Sequence, residues 1–346
     1  MTSDLATASP VAEPDEEWLT QALRQLPGPD HSAATSVAAR AEQVLRPSGA
    51  LARLDEVATW LAGWQHTTTP RVSVTATVLF AADHGVARRG VSAYPADVTA
   101  AMVRALHEGV ATAAAFARTL GSSLHVFDVG VGEPTGDITV EPALDPQRFA
   151  AALAAGRAAV AGLDGIDLLI VGEMGIGNTT PAAAVCAALY GGPAEHWTGR
   201  GTGLDDAALA AKVAVVAAAR DRIAAGTGPI EILRQLGGAE LAAIAGAVIE
   251  ARTRSIPVLL DGYVVGAAVA PLAAASPDAL DHCLAGHCSG EPGHRLLLDR
   301  LGKPPLLDLG LRLGEASGAL AAVPLLRLAA AAVTDVATFA EFGLTR

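Results

Sequence analysis

The stretch that most constrains this chain is Ile166–Pro181, IDLLIVGEMGIGNTTP. The run Ile166 to Val171 is hydrophobic without alternation, the pattern of a strand buried on both faces. The chain then breaks into Gly172, Gly175 and Gly177 and ends in Asn178, Thr179, Thr180 and Pro181. An apolar, helix-like run from Ala182 to Leu189 follows. Strand, glycine turn, Thr cap and early Pro together predict a helix N-terminus aimed out of a sheet. Free backbone N–H groups and the positive dipole end would make a phosphate cradle there. An ordinary tight turn uses the same residues. No Lys follows the glycines, so this is not a Walker loop, nor does it keep the GxGxxG register.

The rest of the chain repeats the strand-then-helix rhythm. Strands are expected at Val72–Ala82, Ser123–Val129, Ile256–Leu260 and Ala279–Ala285, with helices at Val98–Leu120, Asp145–Ala161, Asp205–Ala225, Ile230–Leu236, Glu240–Arg252 and 263–275. Glu16–Leu26, His31–Leu45 and Ala50–Trp64 read as N-terminal helices, and a final helical stretch is interrupted at Pro324. This rhythm predicts an α/β fold, a doubly wound, mainly parallel sheet with helices on both faces. The expected division is a disordered lead over 1–14, an N-terminal helical part of a small lobe over 15–69, a sheet domain over 70–310 that binds substrate, and a C-terminal helical part over 311–346. The strand ends carry glycine or acid, so polar groups gather on the edge where open α/β sheets bind ligands.

Composition excludes several functions. The chain has 346 residues, a net charge of −12 and no Lys/Arg-rich run, which argues against a nucleic-acid surface. Three cysteines make no disulfide framework and fit a reducing compartment. The acidic N-terminus lacks signal-peptide layout, and the Ala-rich Leu320–Val333 is broken by Pro324 and Arg327. A cytoplasmic protein that binds no membrane is expected.

Among candidate chemistries, His282, Cys283, His287, Cys288 and His294 are too loosely spaced for zinc. His287, Ser289 and His294 are read instead as shaping a loop, and no metal is expected. Cys186 is read as core. Glu315, between glycines in LRLGEASGA, is either a neighbour of a helix cap or a desolvated carboxylate with a raised pKa, suited to accepting a proton near neutrality. Glu173 is a second such candidate. Asp83 and Asp261 are read as orienting loops.

Several segments together resemble one family: ADHGV (Ala82–Val86), GVSAYP (Gly90–Pro95), GEMGIGNTT (Gly172–Thr180), TGRGTGLDD (Thr198–Asp206), LDGYV (Leu260–Val264), SGEPGH (Ser289–His294), LDLGLRLGEASGA (Leu307–Ala319) and ATFAEFG (Ala337–Gly343). They are similar to nicotinate-nucleotide:dimethylbenzimidazole phosphoribosyltransferases, over about residues 70–346. The resemblance implies transfer of a 5-phosphoribosyl group from nicotinate mononucleotide to 5,6-dimethylbenzimidazole with inversion, without cofactor, by a homodimer with a small lobe built from both chain ends. It implies Glu315 as general base with Glu173 in support. Gly175, Gly177, Asn178, Thr179, Thr180, Lys212 and Ser289 would hold the donor, and Asp83, Ser92, Tyr94, Leu313 and Gly314 would form the base pocket. Arg88-Arg89 stand where some members carry a neutral polar residue, which leaves the acceptor base open. The competing readings are an N-ribosyl hydrolase and a nucleotide-binding module without turnover.

Overall fold

A computed structural model describes residues 16–345; the expected lead at 1–14 lies outside the described residues. Three helices come first: α1 (Glu16–Leu23), α2 (His31–Ala41) and α3 (Ala52–Gln65). Strand β1 (Thr75–Ala81) leads through a 3-10 turn at Gly85–Arg89 to α4 (Val98–His107), α5 (Thr112–Leu120) and β2 (Ser123–Asp128). Helix α6 (Pro146–Ala161) precedes β3 (Leu168–Met174), and α7 (Thr179–Tyr190), α8 (Ala194–Trp197), α9 (Asp206–Asp221), α10 (Pro229–Leu236) and α11 (Ala239–Thr253) follow it. The chain closes with β4 (Val258–Leu260), α12 (Tyr263–Ala275), β5 (Cys283–Ala285), α13 (Pro292–Leu301) and α14 (Ser317–Thr334).

The five strands form one parallel sheet in the order β2-β1-β3-β4-β5. Every residue of β1 is buried, because both faces are covered. Val78 and Phe80 point into one cluster with residues of α6, α7, α10, α11 and α12. Leu79 and Ala81 point into the other, with residues of α2, α3, α5 and α14. That alternation is the period-two geometry of a strand, and each such large apolar side chain contributes about 1.5–3 kcal/mol on burial. The fold is therefore the doubly wound α/β arrangement the sequence predicts. The second face draws on both chain ends. Arg40 donates from Nε to the Val333 carbonyl at 2.9 Å, and Val44 bridges Thr338.

Several elements are a few residues shorter than expected, and five local differences have a clear physical reason or bear on the site. The helix expected over Val98–Leu120 is two, because Gly109 adopts a φ of +75° and turns the chain. Strand β3 runs past Val171 to Met174, so Glu173 sits on the strand itself and not in the loop. Helix α7 begins at Thr179 instead of Ala182, since Pro181 is tolerated in a first turn. Helix α14 continues through Pro324. Pro324 is exposed, so water can reach the Leu320 carbonyl that its missing N–H leaves free. Only Cys283–Ala285 of the expected last strand is paired, and Pro305–Leu313 contributes a single bridge, Leu307 to His287. Helix α14 is long and apolar enough to cross a membrane by length and composition, yet 56% of it is buried inside this fold.

Candidate active site

In this sheet the order in which strands are added reverses between β1 and β3, and open α/β sheets bind ligands at that point, beyond the carboxyl ends of the strands. A pocket of about 410 Å³ opens there. It is lined by the loop after β3, by the Val91–Tyr94 segment and by Arg312–Glu315.

The loop after β3 presents free backbone donors to the pocket. Gly177 has a φ of +88°, where a side chain would be strained. Two of the loop's N–H groups are occupied: Ile176 donates to Thr99 Oγ1 at 3.2 Å and Asn178 to the Gly175 carbonyl at 3.1 Å. Those of Gly177 and Thr179 have no partner among the described residues. They stand at the positive end of α7. Below them Lys212, fully buried, donates from Nζ to Thr179 Oγ1 at 2.7 Å and to the Gly199 carbonyl at 3.1 Å. Burial lowers its pKa to about 8, opposed by the nearby Glu291 carboxylate. Glu291 in turn accepts the Gly201 N–H at 3.0 Å. Lys212 does not line the pocket; it acts on the loop through Thr179. Thr180 is also fully buried, and its hydroxyl has no partner among the described residues.

Glu315 comes from the opposite wall. Gly314, Glu315 and Ala316 all have positive φ, at 80°, 58° and 61°. Two consecutive non-glycine residues in that region are unfavourable and persist only where surroundings hold them. Here the Glu315 N–H donates to the Glu173 carbonyl at 3.2 Å and the Ser317 N–H to the Gly314 carbonyl at 3.0 Å. Gly172 makes room: a Cβ there would stand 2.5 Å from the Ala316 nitrogen. Asp261, at the end of β4, accepts the Ala319 N–H at 2.8 Å and so caps α14 just after the turn.

The result is a cluster of buried acids. Glu315 is 3% exposed and its Oε2 has no partner among the described residues. Desolvation, with the charge of Asp261, raises its pKa to about 7. Glu173 is 7% exposed. Desolvation raises its pKa to about 8 against a hydrogen bond from Asn178 Nδ2, with Asp261, Glu240 and Glu315 adding to the rise. At neutral pH Glu173 therefore holds a proton, and Glu315 is poised between its two states.

The remaining expected residues divide. Ser92, Tyr94, Leu313, Gly314 and Ser289 all line the pocket. Ser92 also meets Thr202 through their hydroxyls at 3.1 Å, joining two loops at the mouth. Asp83 does not line the pocket: its carboxylate accepts the Gly132 N–H at 2.8 Å, the loop-orienting role. Arg88 and Arg89 are exposed off the pocket, and Arg89 pairs with Asp137 at 2.7 Å. Ser289 contacts His294 Nδ1 at 2.9 Å, and burial depresses the His294 pKa to about 3, leaving it neutral. Among the described residues no group of His, Cys, Asp and Glu could hold a metal. Cys186 is core, its thiol pushed to about 12 by burial. Sequence reasoning missed Arg312, Met102 and Glu291 in the lining. It also missed the fully buried pair of His84 and Glu240, 2.7 Å apart beneath Gly175. Partners so distant in sequence leave no local signal.

A phosphoribosyltransferase family model matches residues 26–344. A nicotinate-nucleotide–dimethylbenzimidazole phosphoribosyltransferase of Allorhizobium ampelinum is 50% identical over 93% of this chain and 94% of its own. The chain belongs to the nicotinate-nucleotide–dimethylbenzimidazole phosphoribosyltransferase family. A relative of the same name from Novosphingobium aromaticivorans is 51% identical over 93% of this chain and 95% of its own. The crystal structure of CobT from Thermus thermophilus superimposes with a TM-score of 0.87 at 42% identity, covering 91% of this chain and 99% of that one. Within this family the match takes in the N-terminal helices from residue 26, whereas the motifs in the sequence begin near residue 70.

Proposed function

We propose that this protein transfers the 5-phosphoribosyl group of nicotinate mononucleotide to 5,6-dimethylbenzimidazole, giving α-ribazole 5′-phosphate and nicotinate, a step of cobalamin lower-loop assembly. One observation carries the site assignment: a buried carboxylate with its pKa near neutrality, Glu315, faces the same pocket as the free N–H groups of Gly177 and Thr179.

The chemistry needs those two parts. The leaving nicotinate is joined to C1′ through a cationic ring nitrogen. When that bond breaks, its electron pair returns to the ring, so no general acid is needed. The acceptor carries one N–H; its other nitrogen attacks C1′ as Glu315 takes that proton. Base assistance is typically worth about 10²–10⁴-fold. Holding both substrates in line can supply roughly 7–11 kcal/mol more. Gly175, Gly177, Asn178, Thr179 and Ser289 hold the donor phosphate, with Lys212 and Thr180 behind them. Glu173, protonated, supports Glu315 without adding a second charge. Tyr94, Leu313 and Gly314, with Ser92 at the mouth, form the base pocket; Asp83 only orients its loop. Attack opposite the departing nicotinate inverts the β donor to an α product.

In this reading residues 70–310 bind the substrates and 311–346 bring the base to them, with 15–69 completing the helical layer from the chain ends. The protein works in the cytoplasm as a homodimer. Tyr94 and Leu313 are exposed at the pocket mouth, where a partner subunit or the acceptor would cover them. Sedimentation at micromolar concentration tests the dimer. The activity is tested by incubation with nicotinate mononucleotide and a panel of benzimidazoles and purines, resolving products by mass and anomer. The α-ribazole phosphate should form only when base is present. Free ribose phosphate without base would make the protein a hydrolase, and no product at all a binding module.

A further inference from the structure

Among the described residues Arg312 is the only lysine or arginine lining the pocket, beside three acids, Glu173, Glu291 and Glu315. It is exposed, and its guanidinium makes no hydrogen bond or ion pair among the described residues. Nearby arginines are engaged: Arg200 with the Leu204 carbonyl at 2.8 Å and with Asp206, and Arg295 with Asp308. A Cβ at Gly290 would stand 2.8 Å from Cγ and Cδ of Arg312, so Gly290 leaves space for that side chain. The stem lies beside Gly290, and the head is unpaired among the described residues in a pocket whose other ionisable lining includes three acids.

The donor of the proposed reaction has two anionic ends, a phosphate on C5′ and a carboxylate on the pyridine ring. The amide cradle can take one of them. The other would enter a cavity whose remaining acids, Glu291 and the partly ionised Glu315, offer it no partner and some repulsion. A planar guanidinium matches a carboxylate in two parallel hydrogen bonds. We infer that Arg312 binds the ring carboxylate of the donor and is the residue that selects a nicotinate over a nicotinamide nucleotide.

This inference rests on the proposed activity, and a binding experiment separates the two. Calorimetry should be run with nicotinate mononucleotide and nicotinamide mononucleotide on the parent, Arg312→Gln and Arg312→Lys, with kcat and KM measured in parallel. Arg312→Gln should weaken nicotinate mononucleotide by about 10–100-fold and change nicotinamide mononucleotide by less than about twofold. Arg312→Lys should recover part of the loss, which shows that the site still folds. The same loss for both donors would place Arg312 on the phosphate and overturn the assignment, as would no loss for either. If the parent binds donor but forms no α-ribazole phosphate, the activity reading fails while the ratio of donor affinities still decides the role of Arg312.

Discussion

Replacing Glu315 with Gln should make the protein more stable and nearly inactive, and the two effects should part with pH. The folded protein raises the Glu315 pKa from 4.5 to about 7, which corresponds to roughly 3 kcal/mol of unfavourable ionisation. Since the carboxylate borders an open pocket, solvent screening reduces that to ~1–2 kcal/mol. The sign follows from proton linkage. Between those two values the folded state holds its proton more tightly than the unfolded chain, so the penalty is absent below about pH 4.5 and complete above about pH 7. Glu315→Gln removes the ionisation. Its gain over the parent in urea denaturation should therefore be ~1–2 kcal/mol near pH 8 and fade to nothing near pH 4. Turnover at saturating substrates should fall by about 10²–10⁴-fold with donor affinity unchanged. A stability difference that ignores pH would refute the raised pKa, and near-parental kcat would remove Glu315 from the mechanism.

Three further outcomes are expected. The parent's kcat/KM should climb with pH through about 7, as Glu315 loses its proton, and a profile flat from about pH 5 to 8 would contradict this. Gly172→Ala puts a methyl against the Ala316 nitrogen; it should cost about 1–3 kcal/mol in thermal melts and lower kcat by displacing the Glu315 turn. Gly177→Val forces a branched residue into left-handed backbone beside Ala87 and Val91. It should abolish measurable donor binding by calorimetry, and unchanged affinity would put the phosphate elsewhere.

The layers of this fold were legible because burial on both faces writes itself as unbroken apolar runs. Residues 168–171 and 258–260 carry that pattern and are central strands. The cradle was legible for the same kind of reason: glycines, Asn and Thr between a strand and an apolar helix have few other uses. Strand and helix ends were less so. Nothing local in Gly172-Glu173-Met174 says that pairing continues, because the partner is Leu79-Phe80-Ala81 on another strand. Glu315 and Glu173 were legible as candidate carboxylates, but their convergence with Asp261 was not. Asp261, Glu173 and Glu315 come from three elements, and it is burial on folding, with the neighbouring acid charges second, that raises the two glutamates. Pro324 misled because its position on the exposed side of α14, which makes it tolerable, is a tertiary fact.

The placement of Glu315 just ahead of α14 has a consequence for biosynthesis. During translation the amide loop and its buried lysine emerge well before the proton acceptor. A chain that stops short of residue 315 lacks both the group that activates the heterocycle and the helix that covers one face of the sheet. The reactive site is assembled only when the last helix docks on the sheet, beside helices made at the very start of synthesis.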